Sequence, residues 1–157
     1  MDMRKKCIYL VLSICLFNII KVSAITLPIE QTEINKNKFI GKWDIKTIVI
    51  DSNCPYIIVG STTESNLEIK QTLKALWSGG KWTDSTTTIK LLNDKEAITE
   101  RVTGFKTKDK DNWKAILIDH LKLADSNSME SESVVIQYKN GLVVGEYKTF
   151  SILTRQN

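Results

Sequence analysis

From Phe39 onward the chain repeats a period of two, and that period dictates extended strands rather than helices. Phe39 to Ile50 places Trp43, Ile45, Thr47 and Val49 on one face. Asp84 to Leu92 is a threonine-rich strand, and the turn signal Asn93-Asp94 separates it from a further strand over Glu96 to Thr103. Trp113 to Leu123 is the longest apolar-rich run. Val134 to Tyr138 and Leu142 to Leu153 flank Asn140-Gly141, the strongest short-range hairpin signal in the chain. Tyr56 to Gly60 is a short apolar run. Asn66 to Leu76 reads equally as strand or helix until Ser78-Gly79-Gly80 stops it, and Ala124 to Glu132 reads as a polar loop. Glu30 to Asn37 can make one or two helical turns.

About eight short strands with no long helices between them predict an all-β domain with an antiparallel, up-and-down sheet. Such a sheet removes its exposed edges most economically by closing into a barrel, with a sandwich as the alternative.

The N-terminus follows different rules. Arg4, Lys5 and Lys6 precede an apolar run from Cys7 to Ile20, and Val22-Ser23-Ala24 supplies small residues at an exit. A basic start, a short apolar core and a small-residue exit make residues 1–24 a secretory signal peptide, cleaved after Ala24. The domain is then 25–157, and a secreted or periplasmic location is expected. No integral span remains after cleavage. The leader carries four of the 22 Lys and Arg residues and one of the 18 Asp and Glu, so residues 25–157 have a net charge of only +1. A nearly neutral domain without a basic, aromatic-interleaved patch lacks the electrostatic footprint of a nucleic-acid binder. Two of the three cysteines also leave with the leader. Cys54 is left alone in Asn53-Cys54-Pro55 as a buried hydrophobe, a free thiol or an intermolecular bridge, and an internal disulfide is excluded.

Asn37-Lys38-Phe39-Ile40-Gly41-Lys42-Trp43 resembles the opening strand of the lipocalin and calycin superfamily. There, Gly-x-Trp follows a short helical turn and the tryptophan plugs one end of the barrel. The resemblance implies a non-enzymatic barrel that binds a small molecule. It also implies an arginine from the last strand packed across the tryptophan, which Arg155 is placed to supply.

His120 is the sole histidine, which removes most metal sites and multi-imidazole chemistry; no metal, cofactor or catalytic residue is expected. Alternation over Trp113 to Leu123 puts Ala115, Leu117, Asp119 and Leu121 inward and His120 outward. An inward carboxylate needs a partner or a raised pKa, unless a bulge lets it reach solvent. On the last strand Tyr147 and Thr149 share a face with Gly145, Ser151 and Leu153. Trp43, Ala115, Leu117, Asp119, Leu121, Tyr147 and Thr149 are therefore the candidate ligand-contacting residues, and the expected ligand is small and largely apolar. The rival reading is a secreted interaction module, an inhibitor, adhesin-like or host-facing factor. It would use the barrel-end loops at Trp77–Trp82 and Ala124–Glu132.

Overall fold

A computed structural model describes residues 35–104 and 111–157; the signal peptide expected over residues 1–24 lies outside them. A short 3₁₀ turn, Lys36–Lys38, leads into nine strands: β1 (Gly41–Ser52), β2 (Thr62–Ile69), β3 (Lys74–Ser78), β4 (Ser85–Thr88), β5 (Lys90–Leu91), β6 (Glu96–Gly104), β7 (Trp113–Leu123), β8 (Ser128–Lys139) and β9 (Leu142–Arg155). They form one antiparallel sheet in the order β4-β3-β2-β1-β9-β8-β7-β6-β5. The all-β, nearly closed barrel expected from the alternation is the architecture found.

The ninth strand arises where one extended run changes partners. β4 pairs with β3, whereas β5 pairs with β6, and Ile89 between them is buried with its N–H bonded to the Leu73 carbonyl. Closure between β4 and β6 is made by threonines instead of a full backbone ladder. Thr87 Oγ1 donates to the Glu100 carbonyl at 2.7 Å, and Thr103 Oγ1 donates to the Thr83 carbonyl at 2.8 Å. The Thr83 N–H reaches the Gly104 carbonyl at 3.0 Å.

Several ambiguous stretches resolve physically. Lys70–Leu73 is a turn, with Leu73 at φ 58°, so the helical alternative for Asn66 to Leu76 is not taken. Tyr56 to Gly60 belongs to the β1–β2 connection and forms no strand of its own, its last N–H returning to the Val49 carbonyl of β1 at 2.8 Å. The loop expected over Ala124 to Glu132 is shorter, because β8 begins at Ser128. Asn140 and Gly141 both have positive φ, as a tight hairpin turn with right-handed strand twist requires.

One end of the barrel is sealed. Trp43 is fully buried and its Nε1 donates to the Phe39 carbonyl at 3.1 Å. The Arg155 guanidinium lies 4.1 Å from the centre of the Trp43 ring. Its nitrogens donate to the carbonyls of Ile40 (2.6 Å), Lys38 (2.7 Å) and Ser126 (2.8 Å). Gly41 is the residue this arrangement demands: its φ is +144°, and a Cβ there would strike Arg155 Nη1.

Trp43→Ala is expected to destabilise the protein by about 3–5 kcal/mol, the usual cost of truncating a buried aromatic. Urea unfolding would measure it; a loss of a few tenths would reject the sealing role.

Candidate functional site

The interior is layered along the barrel axis. Near the sealed end, Phe39, Trp43, Ile45, Leu67, Ile69, Leu121, Met129 and Leu153 belong to one apolar cluster. Toward the other end, Ala115, Leu117, Val135 and Tyr147 form a second cluster with Cys54 from the β1–β2 connection. Cys54 is a buried free thiol; its Sγ donates to Gln137 Oε1 at 3.0 Å. Gly145 leaves no empty space beside this cluster, since a Cβ there would come within 2.7 Å of Cys54 Cα.

Between the two clusters lies a polar belt. Thr99 and Arg101 come from β6, Asp119 from β7, Ser131 and Ser133 from β8, and Thr149 and Ser151 from β9. Arg101 Nε donates to Asp119 Oδ2 at 3.1 Å, with side-chain exposures of 10% and 3%. A pair this secluded is desolvated and depends on its supporting contacts. Ser133 Oγ donates to Asp119 Oδ1 at 2.7 Å, and the guanidinium lies 4.0 Å from the centre of the Trp77 ring. Thr47 and Ser151 share a hydroxyl–hydroxyl bond of 2.8 Å in the same layer.

This belt borders a cavity of about 60 Å³. Arg101, Asp119, Trp77, Ser131, Ser133 and Thr149 are among its walls, and it extends to Gly79, Trp82 and Thr83 of the β3–β4 turn. Ligand pockets for drug-sized molecules measure roughly 300–1,000 Å³, so this space holds a few non-hydrogen atoms at most.

All seven residues singled out from the sequence face inward, but they span the height of the barrel. Leu117, Asp119 and Thr149 line the cavity. Trp43 and Leu121 pack in the sealed-end cluster, and Ala115 and Tyr147 in the opposite one. Asp119 has its partner and does not reach solvent, while His120 stands on the outer face beside Glu96. Trp77, which the rival interaction reading places at a barrel-end loop, is buried in β3 under Arg101. Arg101 itself escaped the sequence reading, although Ala97, Thr99, Arg101 and Thr103 share one parity on β6. Ser131 falls within the loop expected over Ala124 to Glu132, and Ser133 lies between that loop and the strand expected from Val134, so neither stands out in the sequence.

Among the described residues, no group of three or more His, Cys, Asp or Glu is arranged to hold a metal ion, and no helix is long and apolar enough to cross a membrane. No protein-family model matches the chain, and no curated protein matches it either.

Removing one partner of the buried pair strands the other charge. Asp119→Ala is therefore expected to cost about 3–5 kcal/mol, and a double Arg101→Met, Asp119→Leu variant to recover much of that loss. A double-mutant cycle of Arg101→Met, Asp119→Leu and the double variant by urea denaturation decides; single-variant losses that simply add in the double variant would contradict the coupling.

Burial pushes the Tyr147 phenol above its ordinary value, with the Gln137 side chain pulling the other way. The unfolded chain ionises first, so this contribution to stability is complete below about pH 10 and is lost progressively above it. Tyr147→Phe should flatten that alkaline decline; denaturation midpoints taken on both sides of pH 10 would reveal an unchanged slope if burial played no part.

Proposed function

We propose that this chain is an exported, lipocalin-like binding protein that holds a small polar molecule at mid-barrel. Export is supported by the basic, apolar and small-residue succession in residues 1–24. Lipocalin-like character is supported by the barrel and by the sealed end built from Gly41, Trp43 and Arg155. The observation that carries the binding reading is the Arg101–Asp119 pair set into the wall of an internal cavity. A barrel that needed only stability would gain by filling that layer with apolar side chains, since replacing a buried ion pair with packed hydrophobes is often neutral or stabilising. The polar walls and small volume favour a polar ligand of a few atoms over the largely apolar one that the fold resemblance implies.

One observation favours the rival interaction module. Ile58 and Leu142 are each 75% exposed, with Tyr56 and Val59 exposed beside Ile58 on the β1–β2 connection and Val143 exposed beside Leu142 at the start of β9. The Asn53 N–H donates to the Glu146 carbonyl and the Glu146 N–H to Asn53 Oδ1, so the β1–β2 connection runs beside the first part of β9, at the end opposite Trp43. Apolar loop tips gathered in this way suit a protein contact.

Native mass spectrometry of the protein taken from its own host tests the main reading. A chain beginning at Ile25 with a co-purifying small molecule is the expected result. A processed but ligand-free chain that captures no small polar molecule would overturn the binding reading in favour of the interaction module.

A further inference from the structure

We infer that the mid-barrel site recognises a neutral carbonyl oxygen, as in a small amide, ketone or ester, rather than an anion. The inference rests on reading the lumen as a binding site and names the chemistry that site selects.

Two side chains in the cavity wall, Arg101 and Trp77, can only donate. A guanidinium carries five N–H donors and no acceptor. Arg101 spends its Nε–H on Asp119, and no other acceptor meets it among the described residues. The N–H groups of its two terminal nitrogens thus meet no acceptor among the described residues. Trp77, stacked under that guanidinium, adds a buried Nε1–H that meets no acceptor. An indole nitrogen can only donate. The strongest acceptor nearby is already engaged on both oxygens, Asp119 receiving Arg101 on one and Ser133 on the other. A buried donor left without an acceptor is costly, so what completes this site is an acceptor supplied from outside the chain.

Charge selects among acceptors. Arg101 and Asp119 already neutralise each other at 3.1 Å. A carboxylate or inorganic anion would bring an uncompensated negative charge into a low-dielectric interior beside Asp119. A carbonyl oxygen offers lone pairs to the guanidinium without adding net charge. The stacking of Arg101 on Trp77 and its tie to Asp119 hold the uncommitted edge in place, so little ordering is left for the ligand to impose. The cavity of about 60 Å³ fits such a headgroup, and the serine and threonine hydroxyls can turn to donate or accept around it.

Acetamide, acetate and acetamidinium share one shape and differ in charge and hydrogen bonding, so they separate the alternatives. Each is titrated into ¹⁵N-labelled full-chain protein while the Arg101 Nε–H and Trp77 Nε1–H resonances are followed. Acetamide is expected to shift both signals saturably, with a Kd lower than that of acetate by about tenfold or more, and acetamidinium to shift neither. Acetate or acetamidinium binding as tightly as acetamide would overturn the carbonyl assignment while leaving the lumen reading intact. Signals unmoved by all three probes would also overturn it. The lumen reading falls separately, if the native spectrum of the host protein shows no bound small molecule.

Discussion

The pairing of the first strand with the last holds this barrel in its form. β1 and β9 run antiparallel with Trp43 opposite Arg155, Ile45 opposite Leu153 and Thr47 opposite Ser151. That register decides which side chains share a level inside, and a slip of one residue would turn every inward group outward. At its end the Arg155 guanidinium gathers three carbonyls from otherwise separate segments and covers Trp43. The sealed-end apolar cluster rests on this floor. The polar belt rests on that cluster, and the second cluster lies beyond the belt.

Sequence and structure agree best where inward residues are apolar. The alternation of β7 is plain because Ala115, Leu117 and Leu121 contrast with Lys114, His120 and Lys122. The Asn140-Gly141 turn announces itself through the conformations that only a few residues tolerate. Gly41, Trp43 and Arg155 were legible as a set through the resemblance of their motif to the lipocalin opening strand. Close approach at Gly41 and the cation–π contact are its physical basis. Where the lumen turns polar, that contrast vanishes. In β8 the inward groups at the belt are Ser131 and Ser133, and the outward ones are Glu130 and Glu132, so hydrophobic periodicity has nothing to register. Arg101 was hidden for the same reason: an arginine in a threonine-rich strand looks like a surface residue until a carboxylate is found facing it. The part of the site hardest to see was thus the part that differs from an ordinary core.

That difference has an energetic meaning. The hydrophobic effect is strong, non-directional and tolerant of substitution, whereas a buried ion pair is directional and intolerant of losing a member. The barrel uses the first at both ends and confines the second to one level. Asp119 is fixed by Ser133 and Arg101 by Trp77, so the charges are held by neighbours on two other strands, β8 and β3. Packing above and below keeps bulk water from screening the pair, which raises its electrostatic strength and also its dependence on correct geometry.

The floor also carries a message about time. Arg155 and Ile40, joined by a hydrogen bond of 2.6 Å, are 115 residues apart in the chain. A structure dominated by such distant pairings forms slowly, because ends must meet before the contacts that reward the meeting exist. Until Arg155 arrives, Trp43 has no cover and β1 lacks one of its two neighbours. A chain halted short of its final strand therefore presents an open sheet edge, inviting the adhesive pairing that the finished barrel denies.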